Sequence, residues 1–207
     1  MQYILRILLI ESTQVCADSK QSMVRDETIR IALAAGLLWH NRLMLLDLPL
    51  ILETRRNHAL EHATLHMLAR DYPKSPLAGH SNPTGFFILG DVETADLSTS
   101  VIQALMGLRG GERKLAVHAG CGTNLAVTTL LSAGLAWLPL RGTRSTFWRL
   151  FLLPLAISLA VVGWALSQPL GPWLQANVTT EAELGDLQVV DVVKLRRGLH
   201  RVITKSY

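Results

Sequence analysis

Cysteine is scarce in this chain, and acidic residues are missing from a long central stretch. Cys16 and Cys121 are the only cysteines among 207 residues, and they lie too far apart in sequence to suggest a disulfide framework. Between Asn124 and Trp173 the only charged residues are Arg141, Arg144 and Arg149, and the next acidic residue is Glu181. The two scarcities favour a reducing compartment and a segment that contacts lipid.

Aromatic residues are also few, at 6% of the chain, and they are not interleaved with the basic residues. This argues against a nucleic-acid surface. The net charge of +4 is instead expected to attract the protein to anionic lipid headgroups. The apolar run Tyr3–Ile10 is interrupted by Arg6 and followed by Glu11, where a cleavage site would need small residues. No signal peptide is therefore expected.

The charge-poor stretch predicts a transmembrane helical hairpin over residues 124–173. Leu125–Leu140 would rise about 24 Å as a helix, which is marginal for a core of about 30 Å, whereas the 20 residues of Phe147–Leu166 are long enough to span. Residues 141–145 form the turn. Four tryptophans fall near the expected interfaces: Trp137, Trp148, Trp164 and Trp173. A buried hairpin in a soluble core is the alternative.

The remaining segments predict a small α+β domain. Thr54–Asp71 has the residues of a good helix, and a second helix is expected over Ala95–Leu108 with Thr94 as its cap. Residues 73–84 are read as turns. Four short apolar or β-branched segments are predicted to be strands that join one sheet: Gly85–Val92, Lys114–His118, Leu187–Val193 and His200–Ser206.

The fold class expected is therefore an α+β domain carrying a two-helix transmembrane hairpin, with a helical N-terminal region. The domain boundaries expected are 1–53 for the N-terminal region, 54–123 plus 178–207 for the α+β domain, and 124–173 for the hairpin. Residues 29–52 contain Arg30, Arg42 and Asp47, which are costly in hydrocarbon, so an interfacial or re-entrant helix is expected there. A third membrane span is the alternative.

Three histidines mark the candidate site. His58, His62 and His66 are spaced by four and form one stripe on a helix, so two imidazoles can converge on one tetrahedral metal ion. His58, Glu61 and His62 match the pattern H-x-x-E-H, the inverted form of a zinc-protease motif. Glu61 would then be the catalytic general base, acting on water whose pKa the metal lowers. The alternative is a polar helix face that meets lipid headgroups or a pigment.

A further metal ligand is expected from the segment HAGCGTN, where His118 and Cys121 are both competent. His66 is another option, although three residues over two helical turns diverge. Asn124 and Thr123 are expected to cap the first membrane helix, and His80 is expected to be exposed. Asp91 is a candidate to orient a ligand histidine.

Three segments of the chain resemble a known protein family. The segments Glu53–Thr64 (ETRRNHALEHAT), GFFILGDV and Leu115–Asn124 (LAVHAGCGTN), followed by a hydrophobic hairpin, resemble an uncharacterised family of bacterial membrane proteins, a domain of unknown function found notably in phototrophic bacteria. The resemblance covers about residues 50–205 and implies the architecture but no activity. H-x-x-E-H alone resembles the inverzincin metallopeptidases, whose glutamate ligand has only Glu93 and Glu112 as counterparts before the hairpin.

Two functions remain open. The first is a membrane-anchored, zinc-dependent hydrolase, and a peptidase in particular. The second is a non-catalytic accessory or structural subunit of a membrane complex, such as a photosynthetic one. A di-iron membrane oxidase is disfavoured because such enzymes need several histidine clusters. The expected partners are the lipid bilayer and other subunits, without nucleic acid. The expected location is a bacterial inner membrane, with the soluble domain in the cytoplasm because that side carries more positive charge.

Overall fold

The computed structural model describes residues 45–207, and residues Pro49–Tyr207 form one compact unit of the chain. The other unit is Met1–Leu48, so the helix predicted for residues 29–52 lies mostly outside the described residues. Its last residues, from Pro49 onward, instead begin the first helix of the compact unit. The division into three domains predicted from the sequence stays a prediction.

The first element, helix α1, covers Pro49–Asp71, so it begins five residues earlier than the predicted start at Thr54. Pro49 suits a first helical position because its missing N–H would have no partner there. The helix ends before Tyr72-Pro73, since the residue that precedes a proline is disfavoured in the α conformation. One face of α1 is buried through Leu60, Ala63 and Leu68, so the helix forms the centre of the domain.

A four-stranded antiparallel sheet packs against α1. Its strands are β1 (Ala78–Asn82), β2 (Gly85–Leu89), β3 (Gln188–Arg196) and β4 (Leu199–Lys205), in the order β1-β2-β4-β3. The C-terminal hairpin and the strand at residues 85–89 confirm the prediction. The predicted turn region, however, contains β1, and it pairs with β2 from Ala78↔Leu89 to Asn82↔Gly85.

The predicted strand at Lys114–His118 is wrong. Residues Arg113–Ala116 form a short 3₁₀-helix, which follows helix α2 (Thr94–Arg109). The predicted cap at Thr94 is also wrong, because Glu93 precedes the helix without a capping side-chain bond, and the Thr94 hydroxyl lies 3.1 Å from His200 Nε2. The hydrophobic core lies between α1, α2 and the sheet. Its largest fully buried side chains include Phe86, Ile88 and Leu97.

Two long antiparallel helices form the candidate transmembrane hairpin. Helix α3 covers Gly122–Trp137 and continues as a 3₁₀ turn to Leu140, and helix α4 covers Thr146–Leu174 and continues as a π-helical turn to Thr179. Both are long and apolar enough to cross a membrane. Of the most apolar 18 residues of each helix, only 6% and 17% are buried, so the hairpin is not enclosed by the described part of the chain.

The two helices approach closely where their side chains are small. A Cβ atom on Gly163 would lie 2.6 Å from the Leu131 carbonyl oxygen, so no larger residue fits without moving the backbone. Polar pairs join the helices beyond this contact. The Thr128 and Ser167 hydroxyls lie 2.8 Å apart, and the Gln175 amide donates to Asn124 Oδ1 over 2.7 Å.

A buried arginine joins α1 to the end of α4. Arg55 Nε donates to the Val178 carbonyl oxygen over 2.8 Å, Arg55 Nη2 donates to the Thr180 carbonyl oxygen over 3.1 Å, and the guanidinium pairs with Glu181 at 3.2 Å. These bonds satisfy a charge that would otherwise be costly to bury. They hold the segment that follows α4 against α1, the helix that carries the three histidines.

Candidate metal centre

Each histidine of the α1 stripe is oriented by a backbone carbonyl oxygen. His58 Nδ1 lies 2.9 Å from Thr179 O, and His62 Nδ1 lies 2.7 Å from Ala116 O. A carbonyl oxygen can only accept a hydrogen bond, so in the neutral rings of His58 and His62 the proton is on Nδ1 and the lone pair is on Nε2. This is the tautomer that a metal ligand needs, and such a bond also makes the ring a stronger ligand.

Cys121 completes a converging group with these two histidines. Its Sγ lies 3.4 Å from His58 Nε2, and the donor atoms of His58, His62 and Cys121 all lie within 4.8 Å of one another. His62 is 1% exposed, and its Nε2 is buried without a hydrogen-bond partner among the described residues. A buried nitrogen lone pair aimed at a thiol and a second imidazole is costly unless something binds there. This His-His-Cys group can hold a metal ion.

The position of Cys121 follows from the start of α3. Cys121 is the residue before the helix, and its sulfur accepts a hydrogen bond from the Thr123 amide over 3.4 Å. Asn124 and Thr123, the caps expected from the sequence, do not provide that side-chain cap. Asn124 instead donates to the Ala119 carbonyl oxygen over 2.9 Å, which fixes the turn before Cys121.

Electrostatics at the group favour a thiolate. Burial alone would raise the pKa of the Cys121 thiol, but the hydrogen bonds with His58 and Thr123 and the nearby His62 ring outweigh it and lower the pKa to about 5. Burial would likewise lower the pKa of His58, yet its bonds to Cys121 and the Thr179 carbonyl raise it. The two shifts therefore favour the thiolate of Cys121 and the protonated form of His58 in this contact.

Glu61 borders the same space without joining the converging group. It is 4% exposed, and its carboxylate accepts a hydrogen bond from the Ser81 hydroxyl. Burial raises the pKa of Glu61, although the Ser81 bond and the two histidines oppose the shift. His58, Glu61, His62 and Cys121 all line one cavity of about 460 Å³, which is large enough for a small ligand.

Comparisons with known proteins bear on the same residues. Residues 53–192 match a domain of unknown function, DUF6391. The chain belongs to the DUF6391 family. Over 147 residues it is also 38% identical to an uncharacterised protein of Picosynechococcus sp. (strain ATCC 27264 / PCC 7002 / PR-6), a match that covers 65% of this chain and 69% of that protein. No solved structure matches. The three converging residues lie inside the DUF6391 match.

His118, an expected ligand, lies beside the converging group of this DUF6391 chain and not in it. Its Nδ1 accepts a hydrogen bond from the Gly120 amide over 3.2 Å, and its ring packs against His66 with centroids 4.9 Å apart. Burial, followed by the charges of His66 and His62, lowers the pKa of His118 to about 4. His66 Nε2 lies 2.8 Å from the Val117 carbonyl oxygen and away from the group. His118 and His66 therefore pack against each other beside the cluster.

Of two other expectations from the sequence, one is confirmed and one is wrong. His80 is exposed, as expected. The expectation that Asp91 orients a histidine is wrong, because Asp91 is paired with Arg197 at 3.5 Å, and backbone carbonyls orient the histidines instead. Sequence reasoning misses Gly79 and Ser81, although both contact Glu61: a Cβ atom on Gly79 would overlap the glutamate side chain. No local sequence signal could have found them, since these contacts form only when β1 packs on α1.

Proposed function

We propose that this DUF6391 protein is a membrane-anchored, zinc-dependent hydrolase in which His58, His62 and Cys121 bind the metal. The observation that carries the proposal is the unpartnered, buried Nε2 of His62, which lies within 4.8 Å of the other two donor atoms. Two imidazoles and a thiolate are a ligand set that zinc favours, and three protein ligands leave the fourth position for water. A bound zinc ion would lower the pKa of that water towards neutrality.

Glu61 is the proposed general base. Its carboxylate lines the same cavity and stays outside the ligand set. Burial raises the pKa of Glu61, which brings it closer to the pH at which a base transfers protons most efficiently. Ser81 holds one carboxylate oxygen, so the other can take a proton from water. The H-x-x-E-H pattern favours a peptidase among the hydrolases, with His118 and His66 as residues that pack against the ligands.

Metal analysis of the detergent-purified chain tests the proposal. Wild-type protein and His66→Ala should each hold about one zinc ion per chain after dialysis, whereas His62→Ala and Cys121→Ser should hold far less. His66→Ala is the matched control because it removes a histidine of the same stripe that bonds Val117. Glu61→Gln should keep its zinc and lose hydrolysis. A wild-type chain without zinc, or a His62→Ala chain that keeps it, would contradict the metal site and leave the accessory subunit of a membrane complex in its place.

The 3.4 Å contact between Cys121 Sγ and His58 Nε2 favours a second candidate, a metal-free thiol hydrolase. Cys121 would be the nucleophile and His58 its proton carrier, as in other cysteine–histidine pairs. A chelator separates the two: removal of zinc should abolish activity in the metal-dependent enzyme and leave a thiol hydrolase active. Covalent labelling of Cys121 by an electrophilic peptide analogue would favour the thiol mechanism.

The proposed location is a bacterial inner membrane, with the α+β domain in the cytoplasm. The domain carries six basic residues that favour this side, against three arginines at residues 141–149: Arg109, Arg113, Lys114, Lys194, Arg196 and Arg197. Green fluorescent protein fused after Tyr207 should fluoresce if this end is cytoplasmic, and alkaline phosphatase fused there should be inactive. The opposite pair of results would place the domain outside.

A further inference from the structure

Strand β1 is an edge strand, and its outer edge is unpaired among the described residues. It is hydrogen-bonded to β2 alone, in a hairpin closed by the pair Asn82↔Gly85 across a two-residue connection. Antiparallel strands alternate residues that bond the partner with residues that point away from it. In this register, the residues that direct their N–H and C=O groups to the outer edge are Gly79 and Ser81.

The candidate metal cavity borders this edge. Four consecutive residues of β1, Ala78, Gly79, His80 and Ser81, all line it. Successive residues of a strand point to opposite faces of the sheet, so a cavity that touches all four runs along the edge of the strand and not along one face. The same cavity is lined by His58, Glu61, His62 and Cys121.

Two β1 residues also hold the proposed base in place. Ser81 donates its hydroxyl hydrogen to Glu61, and the absence of a side chain at Gly79 makes room for the glutamate. A chain that paired with the free edge would lie about 4.8 Å from β1, which is the usual spacing between strands. Its backbone would then pass beside the Glu61 carboxylate.

We propose that β1 binds an extended polypeptide substrate by strand addition, with backbone hydrogen bonds from Gly79 and Ser81. The cleavage step rests on the proposed function, whereas the binding step does not. Strand addition gives affinity through main-chain bonds, so it selects an extended peptide over a lipid or a folded surface. Water would add to the peptide carbonyl carbon, Glu61 would take a proton from that water and pass it to the nitrogen, and the C–N bond would break to an acid and an amine.

Binding can be measured without cleavage in the full-length Glu61→Gln chain, purified in detergent. The probes are fluorescein-labelled tryptic peptides of casein, followed by anisotropy. Ser81→Ala and Ser81→Pro in this background form a matched pair, since both remove the hydroxyl and only proline also removes the outward N–H. Proline is tolerated on an edge strand where the N–H is not used by the sheet. Loss of one such bond should weaken binding about 3- to 10-fold relative to Ser81→Ala.

A second measurement keeps the test decisive if Ser81→Pro fails to fold. The tightest casein peptide is resynthesised with a single N-methyl group at each position in turn. Strand addition uses every second peptide N–H, so affinity for the Glu61→Gln chain should fall with a period of two residues. No binding of any casein peptide, equal binding by the proline and alanine variants, or a loss without that period would each overturn strand addition. Zinc content and hydrolysis by wild type are read separately, so peptide binding without either would reject the hydrolase alone.

Discussion

Alkylation of Cys121 in the zinc-free protein should have a pH profile unlike that of an ordinary thiol. The pKa of Cys121 is lowered to about 5, because the hydrogen bonds with His58 and Thr123 and the nearby His62 ring outweigh burial. The thiolate is the reactive form, so alkylation should rise through pH 5 and be nearly flat above pH 6.5. A thiol with the ordinary pKa of 9.0 would still be gaining reactivity at pH 8.

The magnitude depends on two opposing effects. At pH 6 a pKa of about 5 leaves roughly 90% of the thiol ionised, against about 0.1% for the reference pKa of 9.0, a gain of about 900-fold. A thiolate of lower pKa is also a weaker nucleophile, and four units cost about 40- to 100-fold with a Brønsted coefficient of 0.4–0.5. The net acceleration at pH 6 is therefore about 10- to 20-fold. At pH 8 the gain in ionised thiol is only about 11-fold, so alkylation should be about 4- to 9-fold slower than for an ordinary thiol. The low-pH end of the profile is decisive.

The assay follows iodoacetamide labelling by mass spectrometry in a Cys16→Ser background, after zinc has been removed. His58→Ala should move the midpoint upward, because its Nε2 is the group 3.4 Å from the sulfur. His66→Ala should leave the midpoint in place, since His66 bonds Val117 instead. Added zinc should protect the thiol near neutral pH, where the histidine and cysteine ligands are deprotonated. A midpoint at pH 8 or above in the His58-containing chain would refute this account of the site.

Three further results are expected. As the pH is lowered, kcat/KM should be lost with a midpoint above the ordinary glutamate pKa of 4.5, because burial raises the pKa of Glu61 and protonation removes the base. Ser81→Ala should move this midpoint to still higher pH, because the Ser81 hydrogen bond lowers the pKa of Glu61 and the variant lacks it. Leu60→Ala should lower the free energy of unfolding by about 2–5 kcal/mol, whereas Leu125→Ala should change it little in detergent, because Leu60 is 0% and Leu125 71% exposed. Gly163→Leu should destabilise the hairpin by about 1–3 kcal/mol or more in thermal unfolding, because a Cβ atom at this position would lie 2.6 Å from the Leu131 carbonyl oxygen; an unchanged melting temperature would contradict that contact.

The features that the sequence predicted correctly depend on short-range patterns. A helix over residues 54–71 follows from its helix-forming residues, and the stripe His58–His62–His66 follows from a spacing of four. The hairpin follows from two apolar stretches separated by a basic turn. Each of these signals is complete within one segment, so no knowledge of the tertiary structure is needed to read it.

The errors arise where tertiary contacts decide the local structure. Residues 78–82 have no β-branched side chain, yet they form β1 because β2 offers hydrogen bonds and α1 offers a surface. Residues 113–116 form a 3₁₀-helix instead of a strand. The carbonyl oxygens of Ala116 and Val117, at the end of this helix, form hydrogen bonds with His62 and His66. The approach of Cys121 to His58 joins residues 63 positions apart, so sequence spacing could not give it.

The candidate metal centre lies at the ends of the two hairpin helices, so its geometry depends on how these helices are aligned with each other. Cys121 immediately precedes α3, while the carbonyl oxygen that orients His58 belongs to Thr179 at the end of α4. An axial slide of one helix along the other therefore changes the separation between two proposed zinc ligands. A bilayer thicker or thinner than the spans favours such a slide or a tilt. For the proposed zinc site, we therefore expect zinc affinity in reconstituted vesicles to vary with acyl-chain length.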